Sequence, residues 1–389
     1  MNKARLWTSV FIRIGIAAFL TGICQQMFMP GFPQFLQLEG FTPSTIGAIS
    51  AAYTAASLFS RAFSGSLTDS FGRRRMLLAG IILLSAPILG FMYVPGREAT
   101  VFFRVVQGVG ASTASIAVGT MAPDVLPRER MAEGIGYFGL FTTLASAIGP
   151  ALGIALLTAG RPGGFFAVGL FSSLLSFPVA LSLRYEKKMP PQPAGAQVEH
   201  ETGVLARFVS RRALPAAAIF AMISISTSSI SNFISPHALS LGITTASLFF
   251  VIQAVFMMIA RIFSGRLLEK LGMFRALLIG LVLDSASLLL LAGMNGRWML
   301  YLSAALRGTG GGISLPLLNV MAVEHAERAE RGRATSTYYA AYDVGSGIGG
   351  IVWGFTAQHL GGYPVVFLSA AVFYILTAIV TFRLTRKEN

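Results

Sequence analysis

Charged residues are scarce in this chain: Asp, Glu, Lys and Arg make up 12% of its 389 residues. That is about half the share usual in soluble domains. With 54% hydrophobic residues and a mean hydropathy of +0.68, the chain has too little polar surface for water and belongs in a bilayer. Cysteine is nearly absent: Cys24 is the only one, so no internal disulfide can form. Four histidines, His200, His237, His325 and His359, are scattered and make no metal-ligand spacing, so no metal site is expected. No Gly-x-x-x-x-Gly-Lys-Ser/Thr loop is present, which leaves ATP-driven pumping without support. No Ser/His/Asp arrangement is readable either. An enzyme and a bound cofactor are not expected.

What is abundant is apolar sequence in long runs, punctuated by basic connections. At about 20 residues per span plus short turns, the length leaves room for roughly 12 helices. The expected spans are 11–37, 43–68, 75–95, 98–122, 131–158, 163–184, 212–239, 244–267, 273–294, 297–322, 334–358 and 362–384. The net charge of +14 suggests a nucleic-acid partner only until its distribution is considered. Most Lys and Arg fall in alternate connections and at the two ends, and Arg97, Arg161 and Arg297 are the exceptions on the opposite side. That asymmetry orients a membrane protein with both termini cytoplasmic. Lys3 and Arg5 precede an apolar stretch as in a signal peptide, but the stretch runs to about Gln37 without a convincing cleavage site, so a retained first helix is expected. Tyr185 to Arg211, with Pro190, Pro191 and Pro193, reads as a linker between residues 1–184 and 212–389.

One sentence of sequence occurs twice. Arg61 to Gly80 reads RAFSGSLTDSFGRRRMLLAG, and Arg261 to Gly280 reads RIFSGRLLEKLGMFRALLIG, with ten of twenty positions identical. Gly65, Asp69, Gly72 and Arg73 return as Gly265, Glu269, Gly272 and Met273, and Arg75 returns as Arg275. A duplicated helix–turn–helix at half the chain length signals two repeated halves. The first copy resembles the signature loop of the major facilitator superfamily of secondary transporters, Gly-x-Leu-x-Asp-x-x-Gly-Arg-x-x-x-Leu, at Gly65, Leu67, Asp69, Gly72, Arg73 and Leu77. The resemblance implies an all-α membrane protein of twelve transmembrane helices in two six-helix bundles, related by a pseudo-twofold axis along the membrane normal.

Two further stretches resemble family motifs. Arg104, Gln107, Gly108 and Gly110 in the fourth span match a signature associated with proton-coupled members. Gly149, Pro150 and Gly153 in the fifth partly match one carried by exporters, and Ile348 to Gly354 is its counterpart without the proline. Arg104 and Gln107 are three apart and share a helix face. An arginine at roughly 9 Å depth requires water, an acid or carbonyls. It is either an interhelical clamp, a modulator of a proton site or an attractor of an anionic substrate group. Asp284 and Arg307 each lie about ten residues into their spans, entering from opposite sides, and so reach similar depth. A structural ion pair is the favoured reading, with a proton relay as the other.

Asp343 is the sharper coupling candidate, in TSTYYAAYDVGSGIGG beside Tyr338, Tyr339 and Tyr342. A carboxyl in an apolar site exchanges its proton closer to neutral pH. It is alternatively satisfied by neighbouring hydroxyls or paired with Arg307. Gln25 and Gln26, above the helix-breaking Pro30, Gly31 and Pro33, either bond between helices or contact substrate. Tyr53, Tyr137, Phe138, Asn232, Phe233 and Asn319 lie in spans that line or flank the cavity in the family. Asp69, Arg73, Asp124, Glu129, Arg130, Glu324, Arg328 and Arg331 are candidates for a cytoplasmic gate of ion pairs. The expected function is proton-coupled export of a small drug or metabolite across a bacterial inner membrane, by a monomer. The rivals are a proton-coupled importer of a sugar or carboxylate and a lipid flippase of the same fold.

Overall fold

The computed structural model describes residues 6–94, 96–127, 130–183, 210, 213–324 and 331–385. The expected linker falls outside them except for Ser210. Among the described residues there are no strands, and eleven long helices follow one another. They are α1 (Ser9–Leu38), α2 (Pro43–Phe71), α3 (Arg73–Tyr93), α4 (Arg97–Asp124), α5 (Met131–Thr158), α6 (Pro162–Ser182), α7 (Leu214–Ser240), α8 (Ser247–Ala292), α9 (Arg297–Glu324), α10 (Arg331–His359) and α11 (Gly362–Thr385).

Helix α8 joins the eighth and ninth expected spans. Its 46 residues would extend roughly 70 Å if straight, more than twice a bilayer core of about 30 Å. The chain breaks at Gly272, whose φ of 77° and ψ of 167° lie outside the helical region. Gly72, at the same place in the first copy, has φ 91° and separates α2 from α3. A side chain is strained at such a φ, so the repeated glycine makes the repeated turn. Helix α2 runs to Phe71, further than the expected end near Leu67, so Asp69 lies in its last turn.

The duplication extends well beyond the motif. Helices begin at Arg97 and Arg297, at Met131 and Arg331, and at Pro162 and Gly362, a constant separation of 200 residues. Packing keeps the same register. A Cβ on Gly108 would overlap the carbonyl of Tyr53, and one on Gly308 would overlap that of Gln253. These close approaches are what small residues provide between membrane helices, where lipid offers no hydrophobic drive to association.

Contacts divide the chain into two compact units: Met1–Phe32 with Ala52–Ala194, and Pro33–Ala51 with Gly195–Asn389. In the first, Ile14, Leu77, Ile81, Ala114, Met121 and Leu183 form a core among α1, α3, α4 and α6. The second unit includes the end of α1 and the start of α2. There α2 packs closely on α10: a Cβ on Gly354 would stand 2.7 Å from the Pro43 carbonyl, and Ser44 Oγ donates to the Gly354 carbonyl at 3.3 Å.

Eight of the described helices are long and apolar enough to cross a membrane, α8 counted once. Helices α2, α9 and α10 fall short because Gly, Ser, Thr and charged residues dilute them. Such composition suits helices shielded by protein or lining an aqueous cavity rather than facing lipid.

Candidate functional site

Among the described residues, two arginines are buried within the helices, one in each unit. In the first unit, Arg104 of α4 is 2% exposed. Its Nη1 donates to Gln107 Oε1 at 2.9 Å, and Nη2 donates to the Phe28 carbonyl of α1 at 3.3 Å. The guanidinium lies 4.1 Å from the Phe32 ring centroid and 5.0 Å from that of Tyr53. Aromatic faces attract a cation through their quadrupole, most strongly where water is excluded. Arg104 Nε and Gln107 Nε2 have no hydrogen-bond partner among the described residues, and no described carboxylate forms an ion pair with Arg104. This is a desolvated cation held by rings, a carbonyl and an amide.

In the second unit, Arg307 of α9 meets Asp284 of the second arm of α8, with Nη1 2.7 Å from Oδ1. Nη1 also donates to Tyr374 Oη of α11 at 2.8 Å, and Nη2 donates to Thr227 Oγ1 of α7 at 2.7 Å. Four helices thus converge on one neutralised pair. Asp284 is fully buried, and the pair fits only because Gly310 has no side chain: a Cβ there would stand 2.6 Å from Asp284 Oδ1. The depth argument from sequence brings these two residues together correctly. The alternative partner proposed for Arg307, Asp343, is not among its contacts. Asp343 is buried on α10.

The remaining cavity candidates separate by unit. Gln25 and Gln26 line a recess of about 170 Å³ with Thr21, Ser115, Phe138 and Thr142. Gln25 is held there, donating to the Ala111 carbonyl at 3.3 Å and accepting from Ser115 Oγ at 3.1 Å. In the second unit, Asn319, Tyr338 and Tyr339 line a recess of about 450 Å³ with Phe220, Arg261, Leu315 and Pro316. Tyr342 is not among its lining residues; its ring centroid lies 5.1 Å from that of Phe220, and its carbonyl accepts from Ser224 Oγ. Asn232 is not part of this recess. Its amide donates to the Ser228 carbonyl one turn back at 2.9 Å. Sequence reasoning missed Arg261, although its place in the duplicated motif marked it.

Of the gate candidates, Arg73 pairs with Asp124 at 2.9 Å, joining the start of α3 to the end of α4. Arg130 makes a two-pronged hydrogen bond to Glu133, both distances 2.8 Å. Glu269 and Arg275 are exposed, and Gly265 faces open space. The surroundings of Gly65 and Asp69, and the side chains of Glu129, Glu324, Arg328 and Arg331, lie outside the described residues. In the exporter-type motif, a Cβ on Gly149 would stand 2.9 Å from the Ile23 carbonyl, and one on Gly153 would stand 2.5 Å from Met27 Cγ. Those two glycines let α5 lie directly against α1, with Pro150 between them inside the helix.

Paired helical repeats, buried charges at depth and polar recesses within apolar helices define an integral membrane transporter of small molecules, not an enzyme. The family model of the Major Facilitator Superfamily matches residues 14–283 and 216–389, and the chain belongs to that family. It is 24% identical over 352 residues to the staphylopine export protein of Staphylococcus aureus (strain Mu50 / ATCC 700699), covering 88% of each chain. It is 28% identical over 349 residues to an uncharacterized MFS-type transporter of Burkholderia mallei (strain SAVP1), covering 87% of this chain and 83% of that one. Among solved structures, the nucleoside transporter NupG, crystallised as a point mutant, superposes with a TM-score of 0.77 at 15% identity, over 96% of this chain and 99% of the other.

Proposed function

We propose that the protein exports a small organic compound across the bacterial inner membrane in exchange for protons. It acts as a monomer with both termini cytoplasmic, and its twelve spans form two six-helix bundles about a pseudo-twofold axis along the membrane normal. Alternating access exposes the recesses first to one side and then to the other. The observation that carries export is the likeness, along 88% of both chains, to a protein named for export. The Gly149–Gly153 seam between α5 and α1 supports it, because that seam carries the exporter-type motif.

Proton coupling rests on the buried carboxyls. Asp284 is already committed to Arg307, which makes it a structural charge partner. Asp343, buried on a helix rich in tyrosine and glycine, is then the proton carrier. Its protonation and its contact with substrate exclude one another, so each cycle moves a proton against the cargo. The Arg73–Asp124 pair belongs to the cytoplasmic gate and parts as the cavity opens inward.

The test compares small molecules inside and outside cells that lack the protein, express it, or express Asp343→Asn at equal level. A compound enriched outside only with the intact protein is the expected result. Depletion of a compound from the medium would overturn export in favour of import. Enrichment that persists with Asp343→Asn under an imposed pH gradient would remove Asp343 from coupling.

A further inference from the structure

The recess of the second unit differs from its repeat in a way that the scaffold does not require. With the 200-residue register of the later helices, Arg261, Leu315, Asn319, Tyr338 and Tyr339 correspond to Arg61, Ser115, Gly119, Phe138 and Gly139. The first helices of the two units, closed by Gly40 and Gly242, are offset by two residues more, so Phe220 corresponds to Ala18. Gly119 and Gly139 have nothing within 4 Å of where a Cβ would sit. The same helix positions in the second unit carry an amide and a phenol that border a cavity of about 450 Å³. Helix packing is satisfied with glycine at both places in one copy. The polar groups of the other copy therefore serve the cavity rather than the fold. The ring of Phe220 is likewise particular to the second unit, since its counterpart Ala18 carries only a methyl group.

Their chemistry is one-sided. Arg261 is exposed, lines the recess and forms no ion pair with any described acid. Asn319 and Tyr339 add neutral hydrogen-bonding groups, and no described acid lines the recess. One wall is a stack of flat rings: Phe220 and Tyr338 lie 4.1 Å apart at 7°. Tyr339 meets Tyr338 edge-on at 5.2 Å and 72°. A planar fork such as guanidinium matches a carboxylate with two parallel hydrogen bonds. Stacked rings favour a flat apolar body beside them. The volume is within the usual range for small-ligand sites, about 300–1,000 Å³.

We propose that this recess binds an aromatic carboxylate, with Arg261 on the carboxylate, Asn319 and Tyr339 assisting, and the Phe220–Tyr338 stack against the ring. This names a cargo class for the transport reading above and rests on it. The lining comes wholly from one unit, so binding does not wait for transport.

Purified protein in lipid nanodiscs is titrated calorimetrically with naphthoate and with its uncharged analogue naphthamide. The intact protein is expected to favour naphthoate by tenfold or more. Arg261→Gln should remove that preference while leaving naphthamide binding in place, which also reports that the variant is folded. Arg261→Lys should retain part of the preference, and Tyr338→Leu should weaken both ligands together. Equal affinity for the two ligands, no binding of either, or a naphthoate preference that survives Arg261→Gln would overturn the proposal. The same protein in proteoliposomes tests the function separately. Arg261-dependent binding with no movement of naphthoate under a pH gradient leaves the recess standing and counts against proton-coupled export of this class.

Discussion

Among the described residues the two units hold one buried arginine each, and they treat it in opposite ways. Arg307 faces a carboxylate at 2.7 Å and two hydroxyls, so its charge is cancelled where it stands. Arg104 faces two aromatic rings, a carbonyl and a glutamine amide, with its Nε left over. The repeat shows what changed. Position 284 is Asp where position 84 is Leu, and position 307 is Arg where position 107 is Gln. The second unit thus carries a complete acid–base pair that the first has no trace of. The first has instead a cation three residues earlier on α4. A neutralised pair clamps helices together, whereas an unneutralised cation keeps a standing preference for negative charge. The first unit therefore holds an arginine with no described acid beside it, and the second an arginine neutralised by one.

The largest test separates a clamp from a loose charge. Removing one member of a buried pair strands the other, which typically costs about 3–5 kcal/mol. Asp284→Leu, which restores the residue found at Leu84, and Arg307→Met should each lower stability by that order. Together they should cost far less, because a buried pair replaced by apolar groups is often close to neutral. Thermal unfolding in detergent of the two single variants and the double reads the coupling directly. Additive losses would dissolve the clamp and the contrast with it.

Arg104→Met asks the opposite question. Its ring contacts are worth about 0.5–2 kcal/mol, while the desolvation of an unpaired ion is several kcal/mol. Melting of Arg104→Met should stay within about 1 kcal/mol of the intact protein while transport falls. A loss as large as that of Arg307→Met would mean that Arg104 is a clamp too.

These two sites also mark how far the sequence could be read. The Asp284–Arg307 pair was legible because both depths follow from the helical rise alone, counted from opposite membrane faces. The surroundings of Arg104 were not legible. Which rings it meets depends on the rotation of α1, α2 and α4 about their axes, and the small and polar residues spread along them do not single out one face to fix that rotation. The all-helical character and the repeat were visible in the apolar runs and in the doubled motif. The turn at Gly272 was visible as the repeat of Gly72, but its geometry was not: one residue with positive φ turns the chain between two helical arms. Arg261 is hidden for a related reason. Its motif reads as a turn, and a turn gives no sign of a cavity among the neighbouring helices.

The smallest test compares two serines in the same repeat position. Ser85 Oγ meets Ser173 Oγ at 2.7 Å and also bonds the Ile81 carbonyl, and both serines are buried. Ser285 Oγ donates to the Ala371 carbonyl at 3.1 Å. Interhelical hydrogen bonds of this kind average about 0.6 kcal/mol in membrane proteins. Ser85→Ala leaves the Ser173 hydroxyl without that partner in an apolar interior, and an orphaned group adds its own desolvation cost. Ser285→Ala leaves behind only a carbonyl within a continuing helix. The first substitution should therefore cost more than the second, by several tenths of a kcal/mol to about 1 kcal/mol. Equilibrium unfolding in mixed micelles resolves such a difference if the two variants are measured side by side. The reverse order would show that α3 and α6 of the first unit are less tightly joined than their counterparts, the second arm of α8 and α11. The comparison between units would then extend from their charges to their packing.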